Sequence, residues 1–373
     1  MTQPPGVLQL LPSLASGGVE RGTIEIAEAI RDAGLRPLVA SAGGPLVAEL
    51  EELGVRHVTL PLATKSPLAI WRNAAALAAL VRQEDIAILH ARSRAPAWSA
   101  LIAARRTGRA FVTTYHGTYN ENLPGKRLYN SVMARGDRVI AISGFIADLV
   151  RSRHGVPDAR IRLIARGVDP RRFNPARIPP EAIAAQRATW GVPDGEAAIL
   201  LPARLTRWKG QAVLVEALAR LPGQSIAVLA GGGRDAYRDE LLALARRHGV
   251  ADRVRLIGHV ERMDLALAAA GLVVHASTDA EAFGRTVVEA QAMARPVIAA
   301  DLGGPRETVE HGMTGWLVPP GDPVALAAML AQVLAMPAAL RDAVGQAARK
   351  AVLARYSTAA MQAATLDVYR ELL

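Results

Sequence analysis

The chain contains no cysteine, which removes disulfide frameworks and thiolate metal sites from consideration. A reducing cytoplasm fits that absence and is the expected location. Aromatic residues are scarce, at 4% against 51% for all hydrophobic residues. The core must therefore come from Ala, Leu, Val and Ile, as in α/β proteins and unlike disordered or fibrous ones. Long apolar runs are missing too. The longest uncharged stretch, residues 323–340, contains Gln332 and is broken by Pro337, so a membrane span is not expected. Asp322 before Pro323 instead reads as the cap and first position of an ordinary helix. Residues 1–14 carry no basic segment ahead of their short apolar run; they read as a first strand, not a signal peptide.

Lysine is nearly absent: only Lys65, Lys126, Lys209 and Lys350 stand among 44 basic residues, and the formal net charge is +10. Residues 1–165 hold 20 basic against 13 acidic residues, and the remainder holds 24 against 21. The positive excess thus sits mostly in the first half. Anionic lipid, anionic glycolipid and nucleic acid would all be drawn to such a surface, and charge alone does not choose. Zinc ligands, a basic-region helix and an aromatic-studded sheet motif are all lacking, so a nucleic-acid partner is not expected.

A length of 373 residues suits two domains of conventional size. Short β-branched runs alternate with longer helical patterns. In the first half the strands are predicted at residues 7–11, 37–41, 56–60, 86–90, 110–116, 138–143 and 161–166. Between the first two, Val19, Thr23, Ile26, Ala27 and Ile30 share one helical face. A Pro-rich break at residues 169–180 is read as a linker. Strands then resume at residues 197–203, 225–230, 254–258, 272–276 and 296–300. Such alternation predicts parallel sheets covered on both sides. The expected domains are residues 1–168 and 181–356. Residues 357–373 form a final helix that either completes the second domain or crosses back to the first.

In parallel sheets, ligands gather beyond the carboxyl ends of the strands. In the second half those ends carry Arg204 and Lys209-Gly210, then Gly231-Gly232-Gly233, then His259, then Glu281-Ala-Phe283-Gly284. Cations, bare backbone and a carboxylate on one rim describe a site for a phosphorylated ligand that also bears hydroxyls. Each part also has a plainer reading: surface cations, a tight turn, a helix cap. Joint placement on successive strand ends favours the site. After Gly284 a helix is predicted, so that N–H groups of Arg285, Thr286 and Val287 would face a diphosphate. Glu289, about one turn further on, could accept hydrogen bonds from ribose hydroxyls.

The stretch from Glu281 to Gln291, with two Glu at a fixed spacing, resembles the signature of retaining glycosyltransferases of the GT-B fold, family four. The resemblance runs through most of the chain: Gly17-Gly18-Val-Glu20, Thr114-Tyr-His116-Gly117, Gly167-Val168-Asp169 with Phe173, Arg204 with Lys209-Gly210, and Gly312-x-x-Gly315 with Pro319. It implies an α/β chain of two Rossmann-like doubly wound domains facing across a cleft. It implies roles as well. Gly17 and Gly18 would approach the donor diphosphate, and His116 would face the donor sugar near the reacting carbon. Arg204 and Lys209 would neutralise the leaving diphosphate. Glu281 would hold sugar hydroxyls beside the Phe283–Gly284 backbone, and Glu289 the ribose. The donor would be a nucleotide diphosphate sugar, GDP-mannose first and a UDP-hexose next, with retention implied by the family alone. Two departures are notable: Arg166 stands where the family often has Asn, and Gly232 where an acidic residue is common.

No Asp-x-Asp occurs anywhere in the chain, so the countercharge is expected from Arg204 and Lys209, with no metal and no further cofactor. A saccharide or lipid-linked acceptor is expected on the first domain. Lys65, Arg92, Arg94, Lys126 and Arg127 are candidates for contact with it or with an anionic membrane surface, and a merely solvated cationic face is the alternative. The sequence around His90–Arg94 and Arg166–Asp169 looks like that of bacterial members that build lipopolysaccharide core, which would place the protein peripherally on the inner face of the cytoplasmic membrane. A nucleotide-sugar epimerase of the same fold is a competing reading, and a non-enzymatic nucleic-acid-binding protein, resting only on the basic charge, is the non-enzyme alternative. A dinucleotide-dependent oxidoreductase is disfavoured, because no G-x-G-x-x-G follows the first strand.

Overall fold

A computed structural model describes residues 3–15 and 17–373. The chain divides into two units. Unit 1 runs to Gly167 and takes back Thr358–Leu373; unit 2 is Val168–Ser357.

Unit 1 is built on a seven-stranded sheet: β1 (Gly6–Leu10), β2 (Arg36–Ser41), β3 (Arg56–Thr59), β4 (Ile86–Ala91), β5 (Ala110–Tyr115), β6 (Arg138–Ala141) and β7 (Ile161–Leu163). Their order is β3-β2-β1-β4-β5-β6-β7, and every pairing is parallel. Central β1 is buried at all positions while edge strand β3 has none, as a sheet covered by helices on both faces requires. Unit 2 repeats the plan with six strands: β8 (Ala198–Pro202), β9 (Ile226–Ala230), β10 (Val254–Gly258), β11 (Leu272–His275), β12 (Val297–Ala300) and β13 (Trp316–Val318), in the order β10-β9-β8-β11-β12-β13. Strand order reverses between β1 and β4 in unit 1 and between β8 and β11 in unit 2. Crevices for ligands open at such switch points.

Three expectations need correction. Strand β13 escaped the sequence reading because its three residues lie between Gly315 and Pro319, in a stretch that reads as a turn. The segment at 169–180 is packed, not a free linker: Phe173 and Ile178 are buried, and Arg349 donates to the Phe173 carbonyl at 3.0 Å. Strand β7 ends at Leu163, after which Ile164 N–H still reaches the Ala141 carbonyl at 2.9 Å.

The helix Thr358–Arg370 belongs to unit 1. Met361, Val368 and Tyr369 join Val7, Ile26, Ile30, Ile88 and Val112 in one core, each contributing about 2 kcal/mol by burial. The Tyr369 hydroxyl meets His90 Nδ1 at 2.7 Å, and His90 Nε2 meets Thr114 Oγ1 at 2.7 Å. Beyond the helix, Glu371 accepts from Arg162 at 2.7 Å and Arg138 at 2.6 Å. The two guanidiniums hold its carboxyl down to about 2.

Candidate active site

In unit 2 the loops after β8 and β11 meet through backbone. Gly210 adopts φ 74°, and a Cβ there would lie 1.8 Å from the Ala276 carbonyl oxygen, so only glycine fits. Buried Gln211 donates to the Arg204 carbonyl at 2.9 Å, fixing the loop from β8. The loop after β11 is braced from β12: Gly304 N–H donates to the Glu281 carbonyl at 2.8 Å.

These constraints deliver Glu281 into a ring of donors. His275 Nε2 lies 2.6 Å from its Oε1, Ser277 Oγ donates to the same oxygen at 2.7 Å, and the Lys209 ammonium pairs with it as well. Burial alone would push this carboxyl up, but His275 and Lys209 outweigh it and hold the carboxyl well below the usual carboxylate range. The carboxylate is therefore ionised, which makes His275 Nε2 the protonated nitrogen. All three donors use one oxygen. Oε2 has no hydrogen-bond partner among the described residues and keeps its acceptor capacity.

Around this cluster the other candidates are placed unevenly. The Arg204 side chain is exposed, with no partner among the described residues. Gly231 closes on the Ala203 carbonyl, where a Cβ would lie 2.1 Å away, whereas Gly232 stands open. His259 is exposed after β10, an edge strand two places from β8, and no contact among the described residues joins it to Glu281. The Phe283 ring is buried edge-on against Tyr356, 5.5 Å between centroids, so Phe283 can line a pocket only through its backbone. Gly284, left-handed at φ 82°, precedes the helix Arg285–Ala292. Of the three predicted anion-facing N–H groups, that of Val287 is used, donating to the Gly284 carbonyl at 3.0 Å. The first turn is tight enough to satisfy it internally. Thr286 lies in the same first turn, and Glu289 stands 3.4 Å from Arg285 in an i,i+4 pair.

Unit 1 presents a different chemistry at its switch point and on the strand end beside it. Gly17 caps the helix Gly18–Asp32, which has no side-chain cap bond. His116 follows β5. Its Nδ1 lies 3.2 Å from Arg166 Nη1, and its Nε2 is buried with no hydrogen-bond partner among the described residues. Burial, then Arg166, Arg92 and His90, lower its pKa well below the ordinary histidine value. Arg92 corrects the sequence reading: it is 3% exposed and donates to Gln9 Oε1 at 3.0 Å, so it is no part of a solvated or membrane-facing surface. Arg94 braces the segment after β5, donating to Asn130 at 2.8 Å with its guanidinium 4.2 Å from the Tyr119 ring centre. Lys65 and Arg127 are exposed and Lys126 is half-buried.

His275 and Ser277 were missed by sequence reasoning. A signal existed: two residues apart at a strand end, they point to the same side, toward the loop that carries Glu281.

Residues 182–351 match the family Glycosyl transferases group 1, and residues 16–172 match Glycosyltransferase Family 4. A solved glycosyltransferase of Rickettsia africae is 34% identical over 100% of this chain and 99% of its own, with a TM-score of 0.91. This chain belongs to that family. Its two Rossmann-like units are those of the GT-B fold. Anabaena HepE, solved with UDP-glucose, is 27% identical over 98% of this chain and 99% of its own, with a TM-score of 0.85. Among curated family members, a D-inositol 3-phosphate glycosyltransferase of Xylanimonas cellulosilytica is 39% identical over 64% of this chain. The match spans 58% of that relative's length. Among the described residues no single helix is long and apolar enough to cross a membrane. The helices Pro323–Ala335 and Ala338–Arg355 pass only as a pair bent by 110°.

Proposed function

We propose that this family member transfers a hexosyl group from a nucleotide diphosphate sugar to a saccharide or glycolipid acceptor, with retention of configuration. The observation that carries this reading is the ionised Glu281, clamped through one oxygen by Lys209, His275 and Ser277. Its second oxygen is left to accept hydrogen bonds from sugar hydroxyls. Breaking the sugar–diphosphate bond builds negative charge on the leaving oxygen. Fixed cations and helix N–H groups stabilise such charge best where water is excluded. Arg204 has no side-chain partner among the described residues and is available to meet that charge. Lys209, already paired with Glu281, serves as much to fix the carboxylate as to meet the phosphate. The Arg285–Ala292 helix adds its amino end. His116 contacts the transferred sugar, and Glu289 and His259 remain candidates for the nucleoside.

This chemistry draws its countercharge from the protein, and turnover unchanged in excess chelator is the corresponding expectation. A UDP-hexose now ranks beside GDP-mannose as donor, because HepE binds UDP-glucose. The acceptor is read as anionic. The charge excess of the first half supports that, and so does a curated relative named for an inositol phosphate. Envelope polysaccharide or lipopolysaccharide synthesis at the cytoplasmic membrane would supply such acceptors. Exposed Leu68, Trp71, Leu123 and Leu128, close in sequence to Lys65, Arg72, Lys126 and Arg127, support peripheral membrane contact. Binding to anionic vesicles no stronger than to neutral ones would remove the membrane from this reading.

A thermal-shift screen against GDP-mannose, UDP-glucose and related donors, followed by a product assay with the stabilising donor, tests the main reading. A ligand that prefers the native state raises its apparent stability. No stabilisation by any nucleotide sugar, or donor conversion without an acceptor product, would overturn it in favour of another GT-B activity.

A further inference from the structure

Arg166 is the residue the family comparison leaves unexplained, and its surroundings give it work. It is 4% exposed, and one guanidinium reaches two elements of the unit 1 rim. Nη1 lies 3.2 Å from His116 Nδ1, and Nη2 donates to the Gly18 carbonyl at the start of the helix Gly18–Asp32. The helix makes room for it. A Cβ on Gly22 would stand 3.0 Å from Arg166 Nη2 and 3.1 Å from Arg92 Nη2.

A guanidinium only donates and does not lose its proton in a protein. His116 Nδ1 must therefore accept, so it carries no hydrogen. A doubly protonated ring would set N–H against N–H and charge against charge. The groups facing the ring strengthen this. Arg166 follows β7, Arg92 follows β4, and His90 lies within β4; all three disfavour a charged imidazole. The Tyr119 hydroxyl accepts from the His116 backbone N–H at 3.4 Å. Glu20 and Glu25, on the helix Gly18–Asp32, act on Arg92. The remaining hydrogen sits on Nε2, which is buried and without a partner among the described residues. A buried N–H of this kind is unfavourable until an acceptor arrives.

We propose that Arg166 is a positioning residue that locks His116 as a neutral Nε2–H hydrogen-bond donor and ties that ring to the glycine loop. The consequence for the reaction rests on the reading of His116 as a contact to the transferred sugar. Under that reading the ring offers a donor to a sugar oxygen and does not act as a base.

The test is ¹⁵N NMR of histidine-labelled full-length protein from about pH 5 to 8, with the His116 ring identified by its loss in His116→Gln. Thermal unfolding checks that each variant is folded. In the unsubstituted protein the ring should show Nε2 protonated and Nδ1 bare across the range. In Arg166→Met it should titrate with a midpoint raised by at least about one pH unit. Arg166→Gln, which keeps a donor but no charge, should hold the tautomer and titrate in between, and it substitutes if Arg166→Met does not fold. The transfer rate of the Met variant should drop more than about tenfold near pH 6, with a smaller loss near pH 8. An Nδ1–H ring or a charged ring at pH 6 in the unsubstituted protein would overturn the proposal. So would a ring unmoved by both substitutions. If the ring responds as expected and the rate does not, the assignment to Arg166 stands and the placement of His116 against the sugar fails.

Discussion

The two units share one topology and place opposite electrostatics on neighbouring strand ends of it. At the unit 2 switch point a carboxylate is kept charged by three donors on one oxygen. One strand beyond the unit 1 switch point, after β5, a histidine is kept neutral by a guanidinium on one nitrogen. In both cases a buried partner uses up one polar atom and frees the other for a ligand: Oε2 of Glu281 accepts, Nε2 of His116 donates. Burial therefore does not simply suppress charge. The neighbours decide which protonation state survives, and orientation follows from that choice.

The comparison can be broken in several ways. The largest effect is expected at Glu281. Glu281→Ala should lower turnover more than about a hundredfold, over ~2.7 kcal/mol, because it removes the acceptor and leaves three donors facing one another. Steady-state rates near those of the unsubstituted enzyme would end the site assignment. His116→Ala should cost more than about tenfold, ~1.4 kcal/mol, without loss of folding by circular dichroism.

Acid should separate the units. His90 and His116 both have pKa values well below 6.5 in the folded chain. Above that pH neither matters. Below it the unfolded chain binds protons that the folded chain refuses. Stability then falls by up to ~1.4 kcal/mol per pH unit for each histidine until the folded pKa is reached. Glu281 acts lower on the scale. Its stabilisation is complete above 4.5 and is lost as pH falls from there toward its depressed value. Hydrogen exchange followed by mass spectrometry should thus show unit 1 peptides losing protection before unit 2 peptides as pH drops from about 6.5. Simultaneous loss only below about 4.5 would contradict the contrast. The smallest effect belongs to Ser277→Ala, one donor of three. It should change turnover several-fold at most, about 1 kcal/mol, while a larger loss would show that the three donors act as one unit.

Much of this was legible in the sequence. Twelve of the thirteen strands stand out because parallel strands buried on both faces leave dense β-branched runs between amphipathic helices. Arg204, Lys209 and Glu281 stand out because they follow strand ends. What sequence could not supply was adjacency across the sheet. Arg92 reads as a cationic loop residue until β4 is placed beside β1, with His90 in register with Gln9. Only then does Gln9 become its partner. Val287 reads as a free N–H until the turn at Gly284 is known to be tight. Arg166 reads as a mere departure until the end of β7 is seen to turn inward toward His116.

The return of Thr358–Arg370 to unit 1 has a consequence for biosynthesis. Unit 2 is contiguous in the chain, whereas unit 1 is interrupted by it. As residues leave the ribosome in order, the first sheet emerges early, yet Met361, Val368 and Tyr369 arrive only after all of unit 2 has appeared. Its underside around Val7, Ile26 and Val112 stays uncovered in the meantime. The later-emerging unit is therefore the first whose residues are all available for folding, and the first sheet waits for its last helix.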